Sequence, residues 1–122
     1  MRSSIDKIEI LLLPEAAQEF EDAVVYLEEE EPGLGGRFRS ELDSHVRWIA
    51  LNPTIPRLRD GVYRRVNLQV FPYYIAYLIK NESVWILAIA HGHRRPNYWI
   101  GRRTPNGHPG GGINSESLRS SP

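Results

Sequence analysis

The 122-residue chain contains no cysteine. That absence excludes disulfides and thiolate zinc sites. There is no long uninterrupted apolar run either. The segment Ile5–Leu13 is broken by Asp6, Lys7 and Glu9. It is too short and too charged for a signal peptide or a membrane span, so a cytoplasmic protein is expected. Familiar nucleotide and hydrolase signatures are missing: no P-loop, no G-x-G-x-x-G, no G-x-S-x-G and no H-E-x-x-H. Gly33-Leu34-Gly35-Gly36 is rich in glycine but follows no strand, and it reads as a turn rather than a phosphate cradle.

What is present is unevenly charged. The net charge of zero conceals an acidic first half and a basic second half. Up to Pro56 there are 5 Lys/Arg against 12 Asp/Glu; from Arg57 onward there are 10 against 3. The basic half could attract nucleic acid or an acidic protein, or it could be one solvated face of two.

Periodicity divides the chain into elements. Ile8–Leu13 is aliphatic and β-branched and predicts a strand, ended by Pro14, which suits the first turn of a helix. Ala16, Phe20, Ala23, Val24 and Leu27 then form one helical stripe. Glu15 and Glu19 sit near the favourable end of that helix dipole, whereas Glu28–Glu31 sit at the wrong end. Pro32-Gly33 stops the helix. A second helix is predicted from Leu34 or Gly36 to Leu51, with Phe38, Leu42, Val46, Ile49 and Ala50 on its stripe. The short connection implies an antiparallel helical hairpin. After a loop from Pro53 to Gly61 the period changes to two. Strands are predicted over Val62–Val70, Tyr73–Lys80 and Ser83–His91, in an antiparallel meander. The last is apolar on both faces and should be central. The expected fold class is α+β, with order β-α-α-β-β-β and both helices on one face of the sheet. One domain over residues 1–100 is expected, followed by a disordered Gly/Ser/Pro-rich tail over 101–122.

Three groups of residues could carry chemistry. The first is His91-Gly92-His93-Arg94-Arg95-Pro96-Asn97-Tyr98-Trp99. Arginine forks match phosphate geometry, aromatic rings stack on bases, and histidine moves protons near neutral pH. RNA cleavage needs a base, an acid and cations for the developing phosphate charge, and this segment contains all three. Alternatively, Tyr98 and Trp99 fold back over the core, the commoner fate of large rings. His91 and His93 lack a third ligand nearby, so no metal is expected. The second group is Arg64 and Arg65, preceded by Arg57 and Arg59. Arg64 shares its strand face with valines, which points to an edge strand or a buried partner. The third is Tyr73, Tyr74 and Tyr77, where packing is the simpler explanation.

Several of these pieces, in this order, resemble the RelE/ParE superfamily of bacterial type II toxin–antitoxin toxins. They are Leu13-Pro14-Glu15-Ala16, the turn Pro32-Gly33-Leu34-Gly35 after Tyr26, Arg37-Phe38, Ile49-Ala50-Leu51-Asn52-Pro53, Phe71-Pro72-Tyr73, Tyr77, and Ala90 through Trp99. The resemblance covers about Ile8–Arg102. It implies a helical hairpin packed on a small, mainly antiparallel sheet, no cofactor, and a cognate antitoxin bound in a hetero-oligomer. RelE-like members cut ribosome-bound mRNA without metal. On that pattern Arg94, Tyr98, His91 and Arg64 would be catalytic, although Tyr74 stands where RelE-like sequences carry an arginine. ParE-like members inhibit DNA gyrase. On that pattern Arg65, His93, Arg95 and Trp99 join a target-binding surface. The Pro-Gly-Leu-Gly turn and Phe-Pro-Tyr strand look more like the ParE branch. The expectation is a ParE-like toxin, with a RelE-like endoribonuclease and a non-toxic binding module as the alternatives.

Overall fold

The computed structural model describes residues 8–95 and 97–105. Its elements follow the order β1 (Glu9–Leu12), α1 (Pro14–Glu30), α2 (Leu34–Leu51), β2 (Arg64–Asn67), β3 (Tyr73–Lys80) and β4 (Ser83–His91). The sheet runs β1-β4-β3-β2. β1 lies parallel to β4, and the other two pairings are antiparallel. β4 is therefore flanked on both sides over its first half, which explains why it is apolar on both faces.

Only one strand boundary departs much from expectation. The predicted strand over Val62–Val70 shrinks to Arg64–Asn67. Upstream, Tyr63 pairs with Arg59 in an isolated bridge. Downstream, Leu68 N–H donates to Tyr73 O at 2.9 Å and begins the turn. Val70, expected on the apolar face, is 69% exposed. Its N–H and that of Gln69 are bonded by the Glu41 carboxylate of α2 instead of a strand.

The two helices pack antiparallel across a glycine contact. A methyl group at Gly35 would lie 2.7 Å from Val24 O, so only glycine lets the helices approach this closely. The same turn resolves the acidic run at the end of α1. Glu28 reaches past the turn and accepts from Gly33 N–H at 2.9 Å and Gly35 N–H at 3.0 Å. A carboxylate unfavourable at the C-terminus of α1 thereby caps the N-terminus of α2. From α2, Phe38 is fully buried against Phe20, Phe71 and Tyr73. Tyr77 is fully buried too, and its hydroxyl donates to Pro53 O at 2.7 Å, tying the end of the hairpin to β3.

The second face of the sheet is covered by the chain after β4. Trp99 is 1% exposed; its indole N–H donates to the Tyr74 hydroxyl at 3.0 Å, and its ring meets the edge of Tyr63. Residues 101–105, assigned from sequence to the tail, belong to the fold. Arg102 is bonded to α1, and Thr104 is 3% exposed and accepts from Lys80 Nζ. The rest of the expected tail, residues 106–122, lies outside the described residues.

These contacts yield a paired prediction. Gly35→Ala should destabilise the fold by about 1–3 kcal/mol through overpacking. Gly36→Ala, which meets nothing within 4 Å, should be neutral or stabilising by a few tenths of a kcal/mol. Chemical denaturation of both variants checks this; equal effects would show that the helix contact is not close.

Candidate functional site: the His91–Arg102 segment

β1 ends at Leu12, opposite Ile86, so the second half of β4 lacks a strand on that side. Exposed strand edges need partners for their backbone groups. Here side chains supply them. Ile89 N–H donates to Glu19 Oε1 at 3.0 Å, and Arg102 donates to Leu87 O at 3.0 Å. Glu19 and Arg102 also pair with each other through two bonds of 3.0 Å, with only 16% and 17% of their side chains exposed. Two parallel bonds between a guanidinium and a carboxylate are the stronger geometry for such a pair.

Tyr98 completes the arrangement. Its hydroxyl donates to Glu19 Oε2 at 2.5 Å. One face of its ring carries the Arg94 guanidinium, 4.0 Å from the centroid, and Arg102 lies 5.2 Å away. Burial raises the Tyr98 phenol above its ordinary value of 10.0, and the bond to Glu19 raises it further. A phenol that holds its proton more tightly than usual and already donates its hydrogen bond to a carboxylate is poorly placed to move protons for a substrate. Burial lowers Arg102, but its bonds to Glu19 more than offset this, so it stays charged.

Glu19, Asp22, Tyr26, Tyr73, His91, Arg94 and Tyr98 line a shallow pocket of about 210 Å³. His91 is half-buried, stands edge-on to Tyr73 at 5.0 Å, and accepts from His93 N–H through Nδ1 at 3.0 Å. The His93 ring lies 4.9 Å away, and His93, Arg94 and Arg95 are exposed. The pocket thus presents one arginine, one histidine and two carboxylates. Asp22 opposes a phosphodiester there, whereas the Glu19 charge is already met by Arg102.

The sequence candidates therefore separate into three places. His91, Arg94 and Tyr98 come together at the pocket. Arg65 lies on the far face, its guanidinium 3.9 Å over the Tyr74 ring and bonded to Asn67. Arg64 is half-buried on the edge strand, as its valine neighbours imply, and donates to Pro56 O at 2.9 Å. It stands opposite Tyr77, which stands opposite Ile86, five positions along β4 from His91. That is roughly 16 Å at the strand rise, so Arg64 does not join Arg94. Trp99 is buried in the core and has no face for a target; its assignment as a contact residue is corrected. Tyr74, which takes the place of the RelE-like arginine, is 4% exposed and serves as acceptor for Trp99.

Glu19 is the residue that sequence reasoning passed over. The clue was available: it lies three residues after Ala16 and four before Ala23, both buried. A carboxylate inside an apolar stripe calls for a buried partner.

This order of elements, with a helical hairpin on a four-stranded mixed sheet, is that of the small RelE/ParE-like toxins. Residues 10–96 match the family model described as the ParE toxin of type II toxin–antitoxin system, parDE, and the chain belongs to that family. A stretch of 35 residues is 46% identical to Toxin ParE2 of two Mycobacterium tuberculosis strains, covering 29% of this chain and 33% of theirs. The matched stretch thus spans about a third of the length of those relatives. A solved structure of the chromosomal ParDE toxin–antitoxin system from P. aeruginosa superposes with a TM-score of 0.62. The identity is 14%, over 70% of this chain and 97% of that one, so the likeness is one of fold.

Two predictions follow from this geometry. Glu19→Ala should cost about 3 kcal/mol, since it strands the buried Arg102 and frees Ile89 N–H and Tyr98; Tyr98→Phe should cost about half of that. Thermal unfolding measures both, and a Glu19→Ala loss below that of Tyr98→Phe would contradict the clamp. The second concerns alkali. Burial pushes the Tyr77 phenol up to about 12, and Tyr73 and Tyr98 are also raised. Phenols raised on folding stabilise the protein fully below the ordinary value of 10.0 and lose that contribution as pH rises through the folded value. Stability should be flat up to about pH 10 and fall between there and about pH 12. Denaturant midpoints measured against pH test this; a fall already complete by pH 10 would contradict it.

Proposed function

We propose that this protein arrests bacterial growth in the cytoplasm by binding a protein target such as DNA gyrase, and that a cognate antitoxin neutralises it. The observation that carries this reading is the bond from Tyr98 to Glu19. It turns the residue best placed to be a catalytic acid or base into a clamp. Support also comes from the Asp22 carboxylate in the pocket and from the distance between Arg64 and Arg94. A nuclease would gather cations at one phosphate. A binder needs only a firm surface with a few anchors. The Arg94 guanidinium, exposed and oriented by the Tyr98 ring, is such an anchor.

The alternative, ribosome-dependent mRNA cleavage, would use His91 and Arg94 at the same pocket. Expression of the chain in bacteria, with and without the small open reading frame beside its gene, separates the readings. The expected outcome is growth arrest with filamentation, relieved by the neighbour. Purified protein should inhibit gyrase supercoiling in vitro. Arg94→Ala should weaken that inhibition roughly tenfold or more, the loss of about one charged contact, with the fold intact by circular dichroism. Cleavage within codons of ribosome-bound mRNA, without an effect on gyrase, would replace this reading with the nuclease. Full viability at high expression would remove both.

A further inference from the structure

β1 stops at Leu12, opposite Ile86, and α1 begins two residues later at Pro14. The helical hairpin leaves a cleft of about 460 Å³ where the strand ends, a volume within the range of small-ligand sites. Ile86 and Ile89 of β4 and Leu42 of α2 form its buried floor. Phe20 of α1 and Val46 of α2 are half-buried walls, and Leu12 at the rim is 41% exposed. A guest would take mainly these last three out of water. The sheet's own backbone offers nothing here. β1 pairs with β4 up to Ile86, and Glu19 and Arg102 take Ile89 N–H and Leu87 O. An added strand would find no groups to bond, so the cleft suits a small apolar guest.

Charge narrows the guest further. One cation and one anion line the cleft, Arg39 and Asp43. Asp43 is held by Arg47 at 2.8 Å. Arg39 is exposed and has no carboxylate partner among the described residues. Its guanidinium lies 4.9 Å from the centre of the Phe20 ring, so the charge stands over an apolar wall of the cleft. A guanidinium fork matches a carboxylate in shape and charge. A phosphate dianion would outweigh one arginine, with Asp43 close by to oppose the excess. An amine would be repelled by Arg39, and a neutral molecule would leave it unmet.

We propose that this cleft binds a small apolar carboxylic acid, with its carbon chain or ring against Leu12, Phe20 and Val46 and its carboxylate on Arg39. The inference does not depend on the growth-arrest reading above. Ile89 lines both this cleft and the His91 pocket, and its N–H donates to Glu19. A bound acid would therefore pack against the strand residue that the Glu19 clamp holds.

The test titrates sodium octanoate and 1-octanol into the full chain and follows its backbone and methyl resonances. Octanoate should shift Phe20, Val46, Ile86 and Ile89 together and saturate, with a Kd of about 1 mM or tighter. Octanol, of equal chain length but uncharged, should bind roughly tenfold more weakly. Arg39→Gln should remove that difference and leave the fold intact by circular dichroism, since Arg39 is exposed. Val46→Phe, which fills the cleft, should abolish binding of both probes; Arg39→Gln carries the test if that variant fails to fold. The absence of saturable shifts at the cleft residues would overturn the inference. So would octanol binding as tightly as octanoate, an octanoate preference that survives Arg39→Gln, or undiminished binding in a folded Val46→Phe chain. Cleft resonances that move with protein concentration alone would assign the cleft to a second copy and overturn it as well. Shifts produced by the product of the adjacent small open reading frame, with none from octanoate, would make the cleft a protein interface and overturn it too.

Discussion

The Glu19 carboxylate holds in place the segment after β4 on which the proposed function rests. β1 is too short to cover the second half of β4, and a strand edge left bare is costly in a small domain. Glu19 bonds Ile89 N–H directly and recruits Arg102 to the neighbouring Leu87 O. The carboxylate is buried for this task, so it must be paired, and Arg102 and Tyr98 pair it. The position of the whole segment after β4 follows from that requirement. The Arg94 guanidinium rests on the Tyr98 ring, and the Tyr98 ring is fixed by Glu19. A surface residue is thus oriented by a chain of contacts that ends in the first helix.

The same contacts decide which chemistry the segment suits. A phosphate-cleaving site gathers cations and frees its acid and base. Here the phenol is bound to a carboxylate, Asp22 shares the pocket with one arginine, and the second-strand arginines are engaged elsewhere. A firm contact surface asks for less. It needs ordered side chains at low entropic cost, and the stacking of Arg94 on a fixed ring provides that. The geometry of Tyr98 thus supports the proposed reading of the segment as a contact surface.

Much of the fold was legible in the sequence because its signals are local. The stripe on α1, the turn at Pro32-Gly33 and the apolar runs over Tyr73–Lys80 and Ser83–His91 each require only neighbours in the chain. β2 was read too long because alternation continues through Val70, whereas the strand ends where Glu41, far away in sequence, captures the backbone. The site was legible in part. His91, Arg94 and Tyr98 do come together, but Arg64, Arg65 and Trp99 go elsewhere. Trp99 could be read either as a contact or as a cap, and only the sheet's uncovered second face decides between them. Glu19 was visible as a charge in an apolar stripe, yet its partner lies 83 residues away, beyond the reach of any periodicity.

The clamp is tested most directly by the exchange rate of a single amide. Ile89 N–H sits on an open strand edge and is protected by Glu19 alone. The account predicts exchange as slow as in the core of β4 for the native chain, and fast exchange at Ile89 once Glu19 is replaced by Ala while the rest of β4 stays protected. Rapid exchange at Ile89 in the native chain, or slow exchange that survives the loss of Glu19, would contradict it.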